Sequence, residues 1–298
     1  MAVVHNGKHS AVQSKRLIYS IIIVALTMLI EVVGGIISNS LALLSDAGHM
    51  LTDLFALVLS LLAHRFSAKK SDLQRSYGYH RLQIIAAFIN GLTLFFIAII
   101  IIIESVKRFI YPADVEWKVM LTVALFGFIS NIVVFFILHN KCENNINIKS
   151  AVLHVIGDIL GSVAAIVASV IIMLTEWQIA DPLLSIFVSV IILNSSYKIT
   201  KHSCHILLEG TPEGISAKKI KSQIMSDLPE VMDVHHVHAW SLSDNYLIIT
   251  MHAKIQQKVQ HTGILYDIKK ILLNKFEIAH STIEIEYDEC ADNKIFKY

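Results

Sequence analysis

A chain of 298 residues with 54% hydrophobic and only 16% charged side chains is too apolar for an ordinary soluble domain; its mean hydropathy is +0.60. The net charge of +1 gives no electrostatic basis for nucleic-acid binding. Cys142, Cys204 and Cys290 are scattered without a C-x-x-C, which argues against a disulfide framework and for a reduced compartment.

Residues 1–15 are polar and carry neither a cleavable-signal pattern nor a lipidation motif. Six apolar stretches follow, at about 17–37, 41–62, 82–103, 119–138, 151–174 and 179–197. Each approaches the ~20 residues that a membrane-crossing helix needs. Lys8, Lys15 and Arg16 precede the first, and Arg65, Lys69, Lys70, Arg75 and Arg81 lie between the second and third. Lys141 and Lys149 separate the fourth from the fifth, and Lys198 and Lys201 follow the sixth. The opposite connections hold only Lys107, Arg108 and Lys118. The positive-inside rule therefore predicts six transmembrane helices with both termini cytoplasmic: a tail over 1–16 and a membrane domain over 17–207.

Residues 208–298 have the polar density of a small cytoplasmic domain. Thr211-Pro212-Glu213 reads as a helix start, running to about Leu228. Residues 231–242 and 246–255 are rich in β-branched and aromatic side chains, with Ser243-Asp244-Asn245 as the hairpin turn. Residues 258–276 return to helical spacing, and 281–287 alternates as a half-buried strand. The order α-β-β-α-β predicts an α+β domain with a three-stranded sheet under two helices. Strand parity sets His252 opposite Ile249 and Met251, and Glu286 opposite Ile283 and Ile285, so His252 and Glu286 can share a surface. The first strand carries apolar residues at both parities and stays ambiguous.

In the second apolar stretch, Asp46, His49 and Asp53 recur at spacings of three and four, one face of a helix. In the fifth, His154 and Asp158 repeat the His-x-x-x-Asp pair. Ionisable groups at membrane depth are expensive and mark ion or substrate paths. At 1.5 Å per residue, Asp53 and Asp158 lie roughly 18 Å and roughly 14 Å from Arg65 and Lys149, the basic residues at the cytoplasmic ends of their helices. The pairs can then face one another near the midplane, offering two imidazoles and two carboxylates to a tetrahedral divalent cation. The alternative has each histidine capping a polar helix contact and each carboxylate paired with a basic group. It meets the difficulty that no Lys or Arg falls within the apolar stretches. Nitrogen and carboxylate donors suit Zn²⁺ and similar ions. Asp46 reads as a fifth ligand, a helix cap or a proton acceptor on the exit path, the last being preferred. Glu31, Asn39, Asn90 and Asn131 read as interhelical hydrogen-bonding residues.

The run from Ser38 to Asp53, the His154/Asp158 pair, Tyr77-Gly78-Tyr79-His80-Arg81 leading to Ala87-Phe88-Ile89-Asn90-Gly91, and Ala180-Asp181-Pro182 together resemble the cation diffusion facilitator family. The resemblance covers nearly the whole chain, and the paired His-x-x-x-Asp is similar to its zinc-transporting branch. It implies a homodimer in the lipid of the cell inner (plasma) membrane, each protomer with six helices and a cytoplasmic ferredoxin-like domain. It further implies export of Zn²⁺, with Cd²⁺ as a second candidate, in exchange for protons by alternating access. His49, Asp53, His154 and Asp158 are then the transport site. His235, His252 and Glu286 match cytoplasmic metal ligands of the family, with His261 as an addition, so Zn²⁺ is both substrate and regulatory ligand. No organic cofactor, enzymatic reaction or nucleic-acid partner is expected.

Two departures stand out. Some relatives hold a second metal between the second and third helices through an acidic residue and two histidines. Asp72 remains here, but Arg75 and Tyr79 stand where those histidines are expected, so that site is expected to be missing and His80 to be a solvated loop residue. The His-rich loop between the fourth and fifth helices is reduced to His139-Asn140-Lys141-Cys142, which favours a compact bacterial-type exporter. Among other classes, an intramembrane metalloenzyme would need an open coordination position, and no H-E-x-x-H is present. A metal-responsive receptor would use the membrane part only as an anchor. Co²⁺, Fe²⁺ or Mn²⁺ as the main cation are further alternatives within the transporter class.

Overall fold

The computed structural model describes residues 7–51, 54–55, 73–139, 146–243, 246–256, 261–288, 290 and 292, with backbone only for 7–20, 138–139, 146–157 and 261. The chain divides into two compact units, Met1–Leu62 with Ala86–Thr200 and Ala63–Ile85 with Lys201–Tyr298. Among the described residues, six helices serve the first unit: α1 (Gly7–Ser38), α2 (residues 41–51), α3 (Arg81–Ile110), α4 (Trp117–His139), α5 (Ile146–Thr175) and α6 (Ala180–Leu207). Among the described residues, 5 helices are long and apolar enough to cross a membrane. Of the second predicted stretch, 41–51 and 54–55 are described and the rest lies outside the described residues. Helices α3, α5 and α6 run beyond their apolar windows because Lys107, Lys149 and Lys198 are good helix formers that hydropathy alone does not count.

Inside and outside are exchanged relative to a soluble fold. Leu26, Leu29, Val33 and Ile36 of α1 and Phe126, Ile129 and Phe136 of α4 are exposed, whereas Thr27, Glu31, Ser130 and Asn131 of the same helices are buried. Ser162, Ser169, Ser185 and Ser189 are also buried. Aliphatic faces turned outward suit an apolar solvent such as lipid, while small hydroxyl-bearing residues let the helices approach closely inside.

Packing brings α1, α2, α4 and α5 together. Met50 of α2 sits among Val24 and Met28 of α1 and Val134 of α4, with Ile159 of α5 against them. Towards the other end of α2, Ala42 and Leu43 pack on Met120 and Ala124 of α4 and on Ala165, Ala168 and Ile172 of α5. Leu94 and Ala98 of α3 pair with Ile192 of α6.

The link from α1 to α2 takes two residues. Asn39 adopts φ 55°, its N–H bonds Ile36 O at 3.3 Å, and the Ser40 N–H reaches back to Gly35 O at 3.0 Å. This is a Schellman closure with Asn in the left-handed position that Gly more often fills. Arg108 of α3 holds the Asn39 side-chain oxygen at 2.8 Å. Asp181 of α6 then caps α2: it accepts from Ser40 Oγ at 2.6 Å, Leu41 N at 2.9 Å and Ala42 N at 3.1 Å. Ser40 Oγ also accepts from the Leu43 N–H at 3.2 Å.

In the second unit the elements are α7 (Ala217–Asp227), β1 (Val231–Ser243), β2 (Tyr246–Ile255), α8 (His261–Phe276) and β3 (His280–Glu286). The α-β-β-α-β order holds. The sheet order is β1-β2-β3, with β1–β2 antiparallel and β2–β3 parallel. The first helix starts later than Thr211-Pro212-Glu213 suggested. Gly214 takes φ 81° and Ile215 N bonds Pro212 O at 3.1 Å, so this stretch is a turn, and Ser216 is the N-cap. The hairpin residues Asp244 and Asn245 lie outside the described residues. Ile220, Ile224, Ile249, Met251, Ile268 and Leu272 fill the core between helices and sheet, and truncating one such residue to Ala costs about 2–5 kcal/mol.

Candidate functional site

His49 and Asp158 come from different helices, α2 and α5, and meet inside the first unit with His49 Nδ1 3.6 Å from Asp158 Oδ1. The packing of Met50 near Ile159, each adjacent in sequence to one of the pair, sets this approach. The Asp181 cap fixes where α2 begins. Asp158 is 3% exposed, and burial at that level demands compensation of its charge. Asp53 lies outside the described residues. His154 belongs to α5, four residues before Asp158, and its side chain lies outside them too.

Asp46 is buried, and its Oδ2 accepts from Ser162 Oγ at 3.0 Å. Because Asp181 and Ser40 cap α2, the helix-cap reading of Asp46 falls. Asn131 Nδ2 donates to Ser162 Oγ at 3.4 Å, an interhelical contact of the expected kind. Glu31 is different: it is fully buried and neither carboxylate oxygen has a hydrogen-bond partner.

A second constellation lies on the sheet of the other unit. Register pairs His235 with His252 and His238 with Thr250, so β1 spends one more residue than β2 over that interval. The extra residue is accommodated where His236 takes φ 48°. The bulge breaks the alternation, and His235 and His236 come to the same cluster as neighbours. Donor atoms of His235, His236, His252 and Cys290 all lie within 4.8 Å of one another. Cys290 Sγ is 3.4 Å from His252 Nδ1 and 3.8 Å from His236 Nδ1.

Glu286 borders the cluster, its Oε1 2.9 Å from His252 Nδ1. Its Oε2 lies 3.0 Å from His235 Nε2 but off hydrogen-bonding geometry, so two buried polar atoms face each other unbonded. Burial pushes the Glu286 carboxyl up, but Cys290, His252 and His235 together pull it below the ordinary carboxylate range. Asp233 bonds His235 Nδ1 at 3.1 Å and so orients that ring. Imidazole, thiolate and carboxylate donors at this spacing fit a borderline-soft divalent cation. Of the expected tail residues, His235, His252 and Glu286 adjoin, and the His261 side chain lies outside the described residues. His236 and Cys290 are additions that sequence reasoning missed. The His235-His236 doublet was the available signal, but only the bulge brings both rings together.

The segment from Gln74 to Arg81 holds no such cluster among the described residues. His80 is not a free loop residue: its ring stacks on Tyr246 at 4.8 Å, and Tyr77 meets His280 edge-on at 5.5 Å. Arg75 lies over the Tyr79 ring at 4.4 Å, and Arg81 bonds Glu209 at 2.7 Å. Asp72 lies outside the described residues.

Family comparison agrees with these two units. Residues 17–208 match the model described as the cation efflux transmembrane domain, and 212–288 match the cation efflux protein, cytoplasmic domain. The chain is 44% identical over 291 residues to zinc transporter ZitB of Pectobacterium atrosepticum, covering 97% of this chain and 91% of that one. It is 42% identical to zinc transporter ZitB of Escherichia coli over 278 residues, 93% of this chain and 88% of the relative. A Bacillus subtilis protein named as a cadmium, cobalt and zinc/H(+)-K(+) antiporter is 40% identical, with 95% and 91% covered. The chain belongs to the cation efflux family, the cation diffusion facilitators, as a multi-pass membrane transporter.

Proposed function

We propose that the chain exports Zn²⁺, and Cd²⁺ as a second substrate, from the cytoplasm in exchange for protons. The observation that carries this reading is the approach of His49 and Asp158 from two buried helices. With Asp53 and His154, each four residues away in the sequence from its partner in the His-x-x-x-Asp pair, the site would hold the cation through two imidazoles and two carboxylates. The names of the similar proteins support zinc as cargo and protons as the counter-ion. Cation binding needs neutral imidazoles and ionised carboxylates, so protons and metal compete for the same donors. A histidine with its reference pKa near ~6.5 exchanges one for the other close to neutral pH. Alternating exposure of the site to the two sides then makes that competition vectorial.

The distribution of basic residues supports a tail at 1–16, a membrane domain at 17–207, a cytoplasmic domain at 208–298 and both termini inside. The match of residues 212–288 supports pairing of two protomers through their cytoplasmic tails, and in this reading the membrane domain sits in the cell inner membrane. The His235–His236–His252–Cys290–Glu286 cluster would bind a regulatory zinc in the cytoplasm, linking metal level to transport. No organic cofactor and no enzymatic step enters this scheme.

Proteoliposomes carrying a pH gradient test the central reading. Zn²⁺ uptake should release protons, and Asp158→Ala or His49→Ala should abolish both fluxes. Coupled flux persisting in either variant would overturn the assignment. Deleting residues 208–298 separates a receptor, which would lose all function, from a transporter, which would retain slow flux.

A further inference from the structure

Glu31 poses a problem that the His49–Asp158 site does not solve. It is buried inside the membrane unit, 0% exposed, and neither of its carboxylate oxygens has a hydrogen-bond partner. An isolated buried carboxylate is too costly to keep ionised without a compensating cation. Its surroundings are made for oxygen. Gly127 of α4 faces it, and a Cβ there would lie 2.1 Å from Glu31 Oε1 and 3.4 Å from Ser162 Oγ. Ser162 in turn bonds Asp46 at 3.0 Å and receives Asn131 Nδ2 at 3.4 Å. Gly161 leaves matching room for Asp46, whose Oδ1 would lie 2.3 Å from a Cβ there. Two glycines, on α4 and α5, thus make space for two carboxylates arriving from α1 and α2.

We propose that Glu31, Asp46 and Ser162 form a second, all-oxygen cation station one helical turn from the His49–Asp158 site. Ser162 stands four residues beyond Asp158 on α5, and Asp46 stands three before His49 on α2, so the two sites are stacked along the same helices. One divalent cation balances both carboxylates, which a single proton cannot do. Oxygen donors hold zinc less tightly than a set containing imidazole, so a cation passed from the first site would be released more easily from the second. The station lies towards the Ser38–Leu41 end of α1 and α2, the outer end under the proposed orientation, and its role as an exit step rests on the transport reading above.

Metal binding to the purified full-length chain tests the station directly, with Mn²⁺ as an electron-spin-resonance probe because it accepts all-oxygen sites. The tail cluster is removed by His252→Ala with Cys290→Ser, and the first site by Asp158→Ala. The expected result is one remaining Mn²⁺ per protomer, displaced by Zn²⁺ and weakened at least ~10-fold by Glu31→Gln, a loss of ligand scale. Glu31→Asp, which keeps a carboxylate, should restore binding, and monodisperse elution of both variants controls for folding. No residual Mn²⁺, or residual binding indifferent to Glu31→Gln, overturns the station. So does a Glu31→Gln chain that keeps its cations and changes only the pH dependence of flux, since Glu31 would then carry a proton. The transport reading fails separately, if Asp158→Ala removes no Zn²⁺ equivalent from the tail-deficient parent.

Discussion

Asp181 and Ser40 are 141 residues apart in sequence and 2.6 Å apart in space, hydroxyl to carboxylate. The same carboxylate accepts from the Leu41 and Ala42 N–H groups, and Arg108 Nη1 approaches it at 3.9 Å. A residue of α6 thereby fixes the start of the helix that carries Asp46 and His49. Asp181→Ala strands two buried N–H groups, at a cost of about 1–3 kcal/mol each, while Arg108 keeps its bonds to Asn39. Thermal unfolding in detergent should show that loss, and zinc flux should fall at least ~10-fold although Asp181 touches no cation in the proposed site. Asp181→Asn keeps an acceptor and should recover most of the stability.

Gly161→Ala tests how tightly the membrane site is built. The added methyl would meet Asp46 at 2.3 Å from Oδ1 and 2.8 Å from Cγ, so the carboxylate must swing away from Ser162. Alanine is otherwise the better helix former by about 1 kcal/mol, which removes any general loss of helix as the explanation. Flux should drop by about tenfold, a change of ~1.4 kcal/mol in the barrier. Helical content should stay constant. Leu174→Ala, at a side chain 72% exposed, is the control and should transport normally.

What the sequence made legible follows from the range of each interaction. Apolar length and basic flanks are local properties, so the spans, the His-x-x-x-Asp pairs and the β-β-α-β order of the tail could be read directly. The start of α7 could not, because Pro212 and Glu213 satisfy a helix-start pattern while Gly214 turns the chain out of it. His236 was hidden by a bulge, which strand parity does not contain. Cys290 joins His252 across 38 residues and Asp181 joins Ser40 across 141, and one sequence carries no trace of such pairings. Glu31 was visible as a polar residue in an apolar helix. Only the structure shows that no hydrogen bond takes up its carboxylate oxygens.

Cys290→Ser separates the tail cluster from a chance gathering of histidines. A thiolate ligand gives tetrahedral Co²⁺ an intense sulfur-to-metal absorption, and that band should be present in the parent chain and lost in the variant. Zinc affinity of the tail should fall about 10- to 100-fold, and His236→Ala should do the same. His238→Ala should change nothing, since that ring is exposed and stands outside the cluster. A parent chain without the thiolate band would remove Cys290 from the ligand set.

Acid should loosen the tail in a way that two lysines control. Lys221 hydrogen-bonds Asp233 and holds its carboxyl below the ordinary carboxylate range, and Lys275 does the same for Asp227. A carboxyl lowered on folding contributes stability that is fully present above its unfolded value, near ~3.9. That contribution is lost as pH falls through the lower folded value. Unfolding of the tail, followed through Trp240 in a Trp117→Phe/Trp177→Phe background, should therefore show stability declining from about pH 5 downwards. Lys221→Met with Lys275→Met removes both partners and should lessen this decline, leaving the share of Glu286, with the α-β-β-α-β fold intact. A double variant whose acid sensitivity matches the parent's would show that these pairs set none of it.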